Sequence, residues 1–242
     1  MAASSSKVTY RLRGVDQTLF YFAPQAPEKN EVALVLSGDG GWHGFIIEVA
    51  AHLADAGYPT FGVDSKDYLE SLSKPKALEP AQVTSDLGEL LRLALSRSGK
   101  AHGILVGWSE GAGLGVLGGL HAGTRDSLLG VVAIGLPELN ELAWRMSDAI
   151  IYITKKVPNE PTFRSQDYIA GVSPLPLMMI QSTHDDFVPE DVAKKLFEIA
   201  KEPKRQVFVQ AHNHHYEGGE AEFYRALDGA LDWFREPAKP PR

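Results

Sequence analysis

Gly103-Ile104-Leu105-Val106-Gly107-Trp108-Ser109-Glu110-Gly111-Ala112-Gly113 places a serine inside G-x-S-x-G, directly after a strand-like apolar stretch and directly before a helix-like one. That context reads as a nucleophile elbow. The strand-to-helix turn is so tight that the positions flanking the serine, Gly107 and Gly111, must let neighbouring backbone approach, while Ser109 is held strained with its hydroxyl exposed. Glycine-rich serines also occur in phosphate loops and plain turns, so the rest of the chain has to decide.

At 242 residues, 44% hydrophobic and 23% charged, the chain can bury one sizeable core, and a single domain over 1–242 is expected, with 1–6 and 237–242 disordered. A formal net charge of -7 argues against nucleic acid as a partner. The chain has no cysteine, which removes disulfides, thiolate catalysis and cysteine metal sites. Met1 to Ser6 is small and polar, with no basic region leading into an apolar one, and no segment approaches the ~18 apolar residues of a membrane span. The expectation is a soluble protein without a transmembrane segment, cytoplasmic as written and periplasmic if an export signal has been removed.

Working outward from the elbow, apolar strand-like runs alternate with helix-like ones. Lys7 to Arg13 and Gln17 to Phe22 suggest a leading hairpin, and Glu31 to Leu36 is a strand ending in Ser37-Gly38-Asp39-Gly40-Gly41. His43 to Ala56 has helical spacing, Thr60 to Val63 is a short strand, and Pro80 to Ser96 carries Val83, Leu87, Leu90, Leu91 and Ala94 on one stripe. Ala101 to Trp108, Gly130 to Ile134, Leu175 to Ile180 and Arg205 to Gln210 read as further buried strands, with helices at Pro189 to Ala200 and Glu220 to Phe234. This alternation predicts an α/β fold with a mostly parallel central sheet covered by helices on both faces.

In such a sheet functional residues collect at the carboxyl ends of the strands. Four ends carry chemistry: the glycine-rich loop after Leu36, Ser109 after Trp108, His184-Asp185-Asp186 after Ile180, and His212-Asn213-His214-His215 after Gln210. The order serine, acid, histidine is the chain order of α/β-hydrolases. Ser109 needs an adjacent base, and His214 is assigned to it over His212 and His215 by analogy with hydrolases of this type. Asp185, four residues before Pro189, is favoured on the same analogy over Asp186 as the acid that orients the imidazole. The oxyanion hole is expected from the backbone amides of Asp39 and of Glu110, the residue after the nucleophile. A phosphate-binding reading of Gly38, Gly40 and Gly41 lacks G-x-G-x-x-G and places an acidic Asp39 where phosphate would sit.

The segments Leu36-Ser37-Gly38-Asp39-Gly40-Gly41-Trp42, Val63-Asp64-Ser65 with Tyr68-Leu69, the helix around Asp86-Leu87, and Gly107-Trp108-Ser109-Glu110-Gly111-Ala112 resemble the AcvB/VirJ group of bacterial serine hydrolases. The second half looks like α/β-hydrolases more generally, through Ser182 to Pro189 and Ala211 to Gly218. The resemblance implies an α/β-hydrolase fold and hydrolysis of aminoacylated phospholipid, notably lysyl-phosphatidylglycerol, in a periplasmic setting.

The carboxylates of Asp39 and Glu110 should lie near the pocket mouth, an acidic lining suited to a cationic acyl group. The alternative is structural: Asp39 tying its own loop and Glu110 capping the next helix. Trp42 is a third candidate for substrate binding, although it and Trp108 are more often packing. A cap is expected within 139–170, where Leu142, Trp144, Met146, Ile150, Ile151, Tyr152 and Ile153 could contact lipid or join the core. The sequence therefore predicts a serine esterase working through a Ser109 acyl-enzyme, with no cofactor or metal. Its substrate would be a small-molecule or lipid ester, with peripheral contact to membrane lipid. A peptidase or amidase on the same triad, and a non-catalytic protein that holds a lipid or partner, are the competing classes.

Overall fold

The computed structural model describes residues 5–74, 76–143 and 161–236. Its order is β1 (Ser5–Leu12), β2 (Val15–Phe22), β3 (Glu31–Leu36), α1 (Phe45–Asp55), β4 (Thr60–Val63), α2 (Ser65–Leu72), α3 (Pro80–Ser98), β5 (His102–Trp108) and α4 (Glu110–Gly118). There follow β6 (Leu128–Ile134), β7 (Leu139–Glu141), β8 (Thr162–Arg164), α5 (Ser165–Tyr168), β9 (Leu177–Ser182), α6 (Glu190–Ile199), β10 (Lys204–Val209) and α7 (Glu220–Phe234).

Eight strands form one sheet in the order β1-β2-β4-β3-β5-β6-β9-β10. The β1–β2 and β2–β4 pairs are antiparallel, and every pair from β4 to β10 is parallel. Side chains alternate between two packed layers. Val32, Leu34 and Leu36 of β3 and Val131 and Ala133 of β6 join α3 and α4 on one face. Ala33 and Val35, with Val132 and Ile134, join α1 and α7 on the other. Burial on both faces is why these strands are nearly continuous apolar runs. The helices begin and end on local signals. Pro80 opens α3 behind a Glu79–Gln82 capping box, and Gly99 in the left-handed region closes it.

The strands cross over in opposite directions from β3, with β4 on one side of it and β5 on the other. Their carboxyl ends therefore part at the β3/β5 boundary, which opens a crevice flanked by the Ser37 to Trp42 loop and by Ser109. Several details differ from expectation. Ser5 and Ser6 belong to β1 and so are not part of a disordered lead, whereas residues 1–4 and 237–242 lie outside the described residues. Helix α2 was not anticipated. Asp64 caps it, accepting the Asp67 N–H at 3.1 Å. Of the expected cap over 139–170, residues 144–160, with Trp144, Met146, Ile150, Ile151, Tyr152 and Ile153, lie outside the described residues. The flanking pieces form the two-stranded β7–β8 sheet, and Leu142 is buried in the core. Among the described residues no helix is long and apolar enough to cross a membrane.

Candidate active site

Ser109 sits between β5 and α4 at φ 55 and ψ −122. For a residue other than glycine this is a strained conformation, costing roughly 1–3 kcal/mol, and it persists only where the surroundings enforce it. Here they do. The Ser109 N–H donates to the Ile134 carbonyl at 2.8 Å, and the Ser109 carbonyl accepts from the Ala112 N–H at 2.8 Å. A side chain at 107 would collide with the Gly111 carbonyl, so the elbow closes only with glycine there.

His214, carried after β10, is buried, and its Nδ1 lies 2.6 Å from Asp185 Oδ2. The Asp185 carboxylate is held on its other oxygen by the N–H groups of Phe187 at 2.9 Å and Val188 at 2.8 Å. Burial by itself would push the Asp185 carboxyl up. The His214 bond and charge, with the Val188 and Phe187 amides, outweigh it and hold the carboxyl below the usual carboxylate range. With Nδ1 facing a carboxylate, a neutral imidazole would keep its proton there and leave Nε2 to accept one. That Nε2 is buried and has no hydrogen-bond partner among the described residues. The indole N–H of Trp108 donates to the His214 carbonyl at 3.3 Å, and the two rings lie 5.3 Å apart.

The end of β6 joins the two halves of this cluster. Ile134 accepts the Ser109 N–H, and Gly135, the next residue, lies so close to the imidazole that a Cβ there would stand 2.6 Å from His214 Cε1. On the opposite side the β3 loop comes down on the elbow. A Cβ at Gly38 would lie 3.3 Å from Ser109 Cβ. The Asp39 N–H in that loop and the Glu110 N–H, first in α4, donate to no acceptor among the described residues. An oxyanion hole needs two such donors turned toward one point, and a helix amino terminus adds favourable dipole for negative charge.

Asp185 and His214 are thus paired, and the imidazole packs on Trp108 of the elbow without a hydrogen bond from Nε2 to Ser109, while the rival side chains make other contacts. Asp186 is exposed. His184 Nδ1 faces the Ala211 carbonyl at 3.0 Å, and His212 packs over Gly218. His215 is exposed with its ring 5.0 Å from Trp108. Among the described residues no group of three metal-ligating side chains converges.

Two side chains expected to line the mouth are engaged in packing. Glu110 is 5% exposed, and its Oε1 accepts the Glu141 N–H at 2.8 Å, tying β7 to the elbow. Burial, then the nearby Glu141 and Asp39 charges, push its carboxyl well above the usual range. Trp42 stacks on Phe20, with centroids 5.1 Å apart and planes 5° apart, and lies flat over Gly62. Both are parts of the scaffold. Asp39, half-buried, is the carboxylate of the proposed set that reaches the surface. Sequence reasoning missed Gly135 and Gln181. The first follows an apolar strand directly and carries φ 57, and the second is a buried polar side chain directly after the apolar run Leu177 to Ile180.

The fold is that of the α/β-hydrolases. Residues 30–144 match the family described as bacterial virulence protein (VirJ), so the resemblance carried by the Ser37 to Trp42 and Gly107 to Ala112 segments holds over that stretch. The chain is 23% identical over 222 residues to the uncharacterized protein YfhR of Escherichia coli K12, covering 87% of this chain and 74% of that one. In three dimensions it resembles the esterase domain of a Rhodothermus marinus protein, with a TM-score of 0.64 at 19% identity over 96% of this chain and 98% of the other. It also resembles a membrane phospholipase A described as a bacterial virulence factor, with a TM-score of 0.70 at 11% identity over 96% and 87% of the two chains.

Proposed function

We propose that the protein hydrolyses a carboxylic ester through an acyl-enzyme on Ser109. The observation that carries this reading is His214, fixed through Nδ1 to Asp185 at 2.6 Å beside the nucleophile elbow, with a buried Nε2 that has no hydrogen-bond partner among the described residues. In the reaction, Nε2 takes the Ser109 hydroxyl proton as Oγ attacks the acyl carbon. The carbonyl oxygen becomes an oxyanion held by the Asp39 and Glu110 amides, each such donor being worth roughly 10²–10³ in rate. Collapse expels the alcohol, which receives the proton from Nε2. Water then enters, gives its proton to the same nitrogen, and releases the acid from Ser109 by the reverse sequence. Asp185 stays ionised throughout and stabilises the imidazolium.

The finer reading is the aminoacyl ester of lysyl-phosphatidylglycerol, met at a membrane surface. Its support is the match to the VirJ family over 30–144 and the position of Asp39, whose carboxylate is available to a cationic acyl group. A matched series of lysyl, alanyl, acetyl and long-chain acyl esters, with one lysyl amide, tests both levels. Turnover of esters without the amide supports an esterase, and equal turnover of the amide points to a peptidase. Asp39→Asn keeps its backbone amide, so loss of a partly exposed charge worth ~1 kcal/mol should lower the lysyl preference about fivefold while acetyl turnover persists. Equal loss on both esters would remove the lysyl reading and leave the esterase one.

A further inference from the structure

Gln181 is 2% exposed in β9, where the preceding residues Leu177, Met178, Met179 and Ile180 are all core. A buried carboxamide costs about 1–3 kcal/mol if its donors are unmet, and methionine or leucine would fill the same space without that cost. Its donors are spent on one place, the acid loop. Nε2 donates to Asp185 Oδ2 at 3.0 Å and to the Val188 carbonyl at 2.9 Å, with a longer contact to the Ser182 carbonyl at 3.4 Å. Asp185 Oδ2 is also the oxygen that meets His214 Nδ1. The carboxylate therefore has backbone donors from Phe187 and Val188 on Oδ1 and side-chain donors from Gln181 and His214 on Oδ2.

Bonds to Oδ1 alone would leave the carboxylate free to pivot about that oxygen. The Gln181 amide removes this freedom at the oxygen that orients the imidazole, and by holding Val188 it also closes the loop that carries Asp185. We infer that Gln181 is a positioning residue for the acid–base pair, fixing the rotation of the Asp185 carboxylate and sharing its Oδ2 with His214. This rests on the hydrolase reading above. It also has an electrostatic consequence. A donor on Oδ2 draws off part of that oxygen's negative charge, so the pair is held at less than its full attraction for an imidazolium.

Gln181→Met keeps the volume and removes both donors. The inference expects kcat to fall about tenfold with KM nearly unchanged, because geometry at the reacting proton is lost and substrate binding is not. It also expects the acidic limb of kcat/KM to move to higher pH, since Oδ2, no longer shared, favours the protonated imidazole. Gln181→Glu can still donate to Oδ2 while its carboxyl is protonated, so its activity should survive at acidic pH and collapse on the alkaline side as two carboxylates come to share the site. The low-field proton NMR resonance of His214 Nδ1–H supplies a reading that needs no substrate, and it should shift in Gln181→Met. A wild-type pH profile and resonance in Gln181→Met would overturn the inference. So would an activity loss that only tracks the loss of folded protein. If the wild-type enzyme turns over no ester, the hydrolase reading fails by itself, and the His214 resonance still decides whether Gln181 governs the pair.

Discussion

Ser109 and His214, 105 positions apart in the chain, are spaced by one short element: the Ser109 N–H donates to the Ile134 carbonyl at 2.8 Å, and the adjoining Gly135 packs against the imidazole. The end of β6 is thus a ruler between nucleophile and base. Gly135→Ala would add a methyl 2.6 Å from His214 Cε1 at a backbone φ of 57, which strains any side chain. A fall of about 100-fold in kcat is expected, since a ~1 Å displacement of a reacting group has that effect. Steady-state kinetics with a circular dichroism spectrum checks it; near-normal kcat in a folded variant would show that β6 does not set the spacing.

Of the candidate acids and bases, Asp185 and His214 are the two that meet, at 2.6 Å. Asp185→Asn and His214→Ala should each lower kcat by roughly 10³–10⁴, whereas the neighbouring Asp186→Asn and His215→Ala should change it less than about tenfold. The four variants are compared on one ester. Greater damage from the second pair would move the assignment by one residue.

Glu110 links catalytic architecture to pH. Its carboxyl is raised well above the ordinary value of 4.5 by burial and by Glu141 and Asp39, so the fold keeps a proton that the unfolded chain releases. Stability is therefore full below that ordinary value, declines as pH rises above it, and is lost through the folded-state value. Glu110→Gln retains an oxygen for the Glu141 N–H and has no proton to lose. Its melting temperature should overtake that of the wild type as pH rises from about 5 to 8. Parallel melting curves across that range would contradict the buried, protonated state.

Far from the site, Asp86 in α3 accepts Arg13 Nε at 2.8 Å and the Tyr68 hydroxyl at 2.8 Å, binding the β1–β2 turn and α2 to α3. Asp86 is 3% exposed, so Asp86→Ala strands a buried hydroxyl and a partly buried guanidinium and should cost about 3 kcal/mol in urea unfolding. Tyr68→Phe removes one neutral donor and should cost about 1 kcal/mol. A loss below ~1 kcal/mol for Asp86→Ala would make this cluster incidental.

Strands such as β3 and β4 and helix α7 were readable because their patterns are local: an apolar run bounded by turn residues, or an apolar stripe at helical spacing. The elbow was readable for the same reason, with its glycines adjacent in sequence to the serine they serve. Helix α2 was not, since its eight residues make little periodic signal and its start rests on the Asp64 cap. β7 and β8 are three residues each and take their pairing from one another. The roles of Glu110 and Trp42 turn on Glu141 and on Gly62 and Phe20, distant partners that no spacing announces. Gln181 is legible only as a polar letter at the end of an apolar run; its meaning lies in the loop it holds.

Ser109 is expected to be an activated nucleophile. Intact-protein mass spectrometry after treatment with a fluorophosphonate tests it without knowledge of the natural substrate. The wild-type chain should gain one phosphonyl adduct, mapped by peptide to Ser109, absent in Ser109→Ala and strongly slowed in His214→Ala. An unlabelled wild-type protein, or an adduct that persists in a folded Ser109→Ala variant, would contradict it.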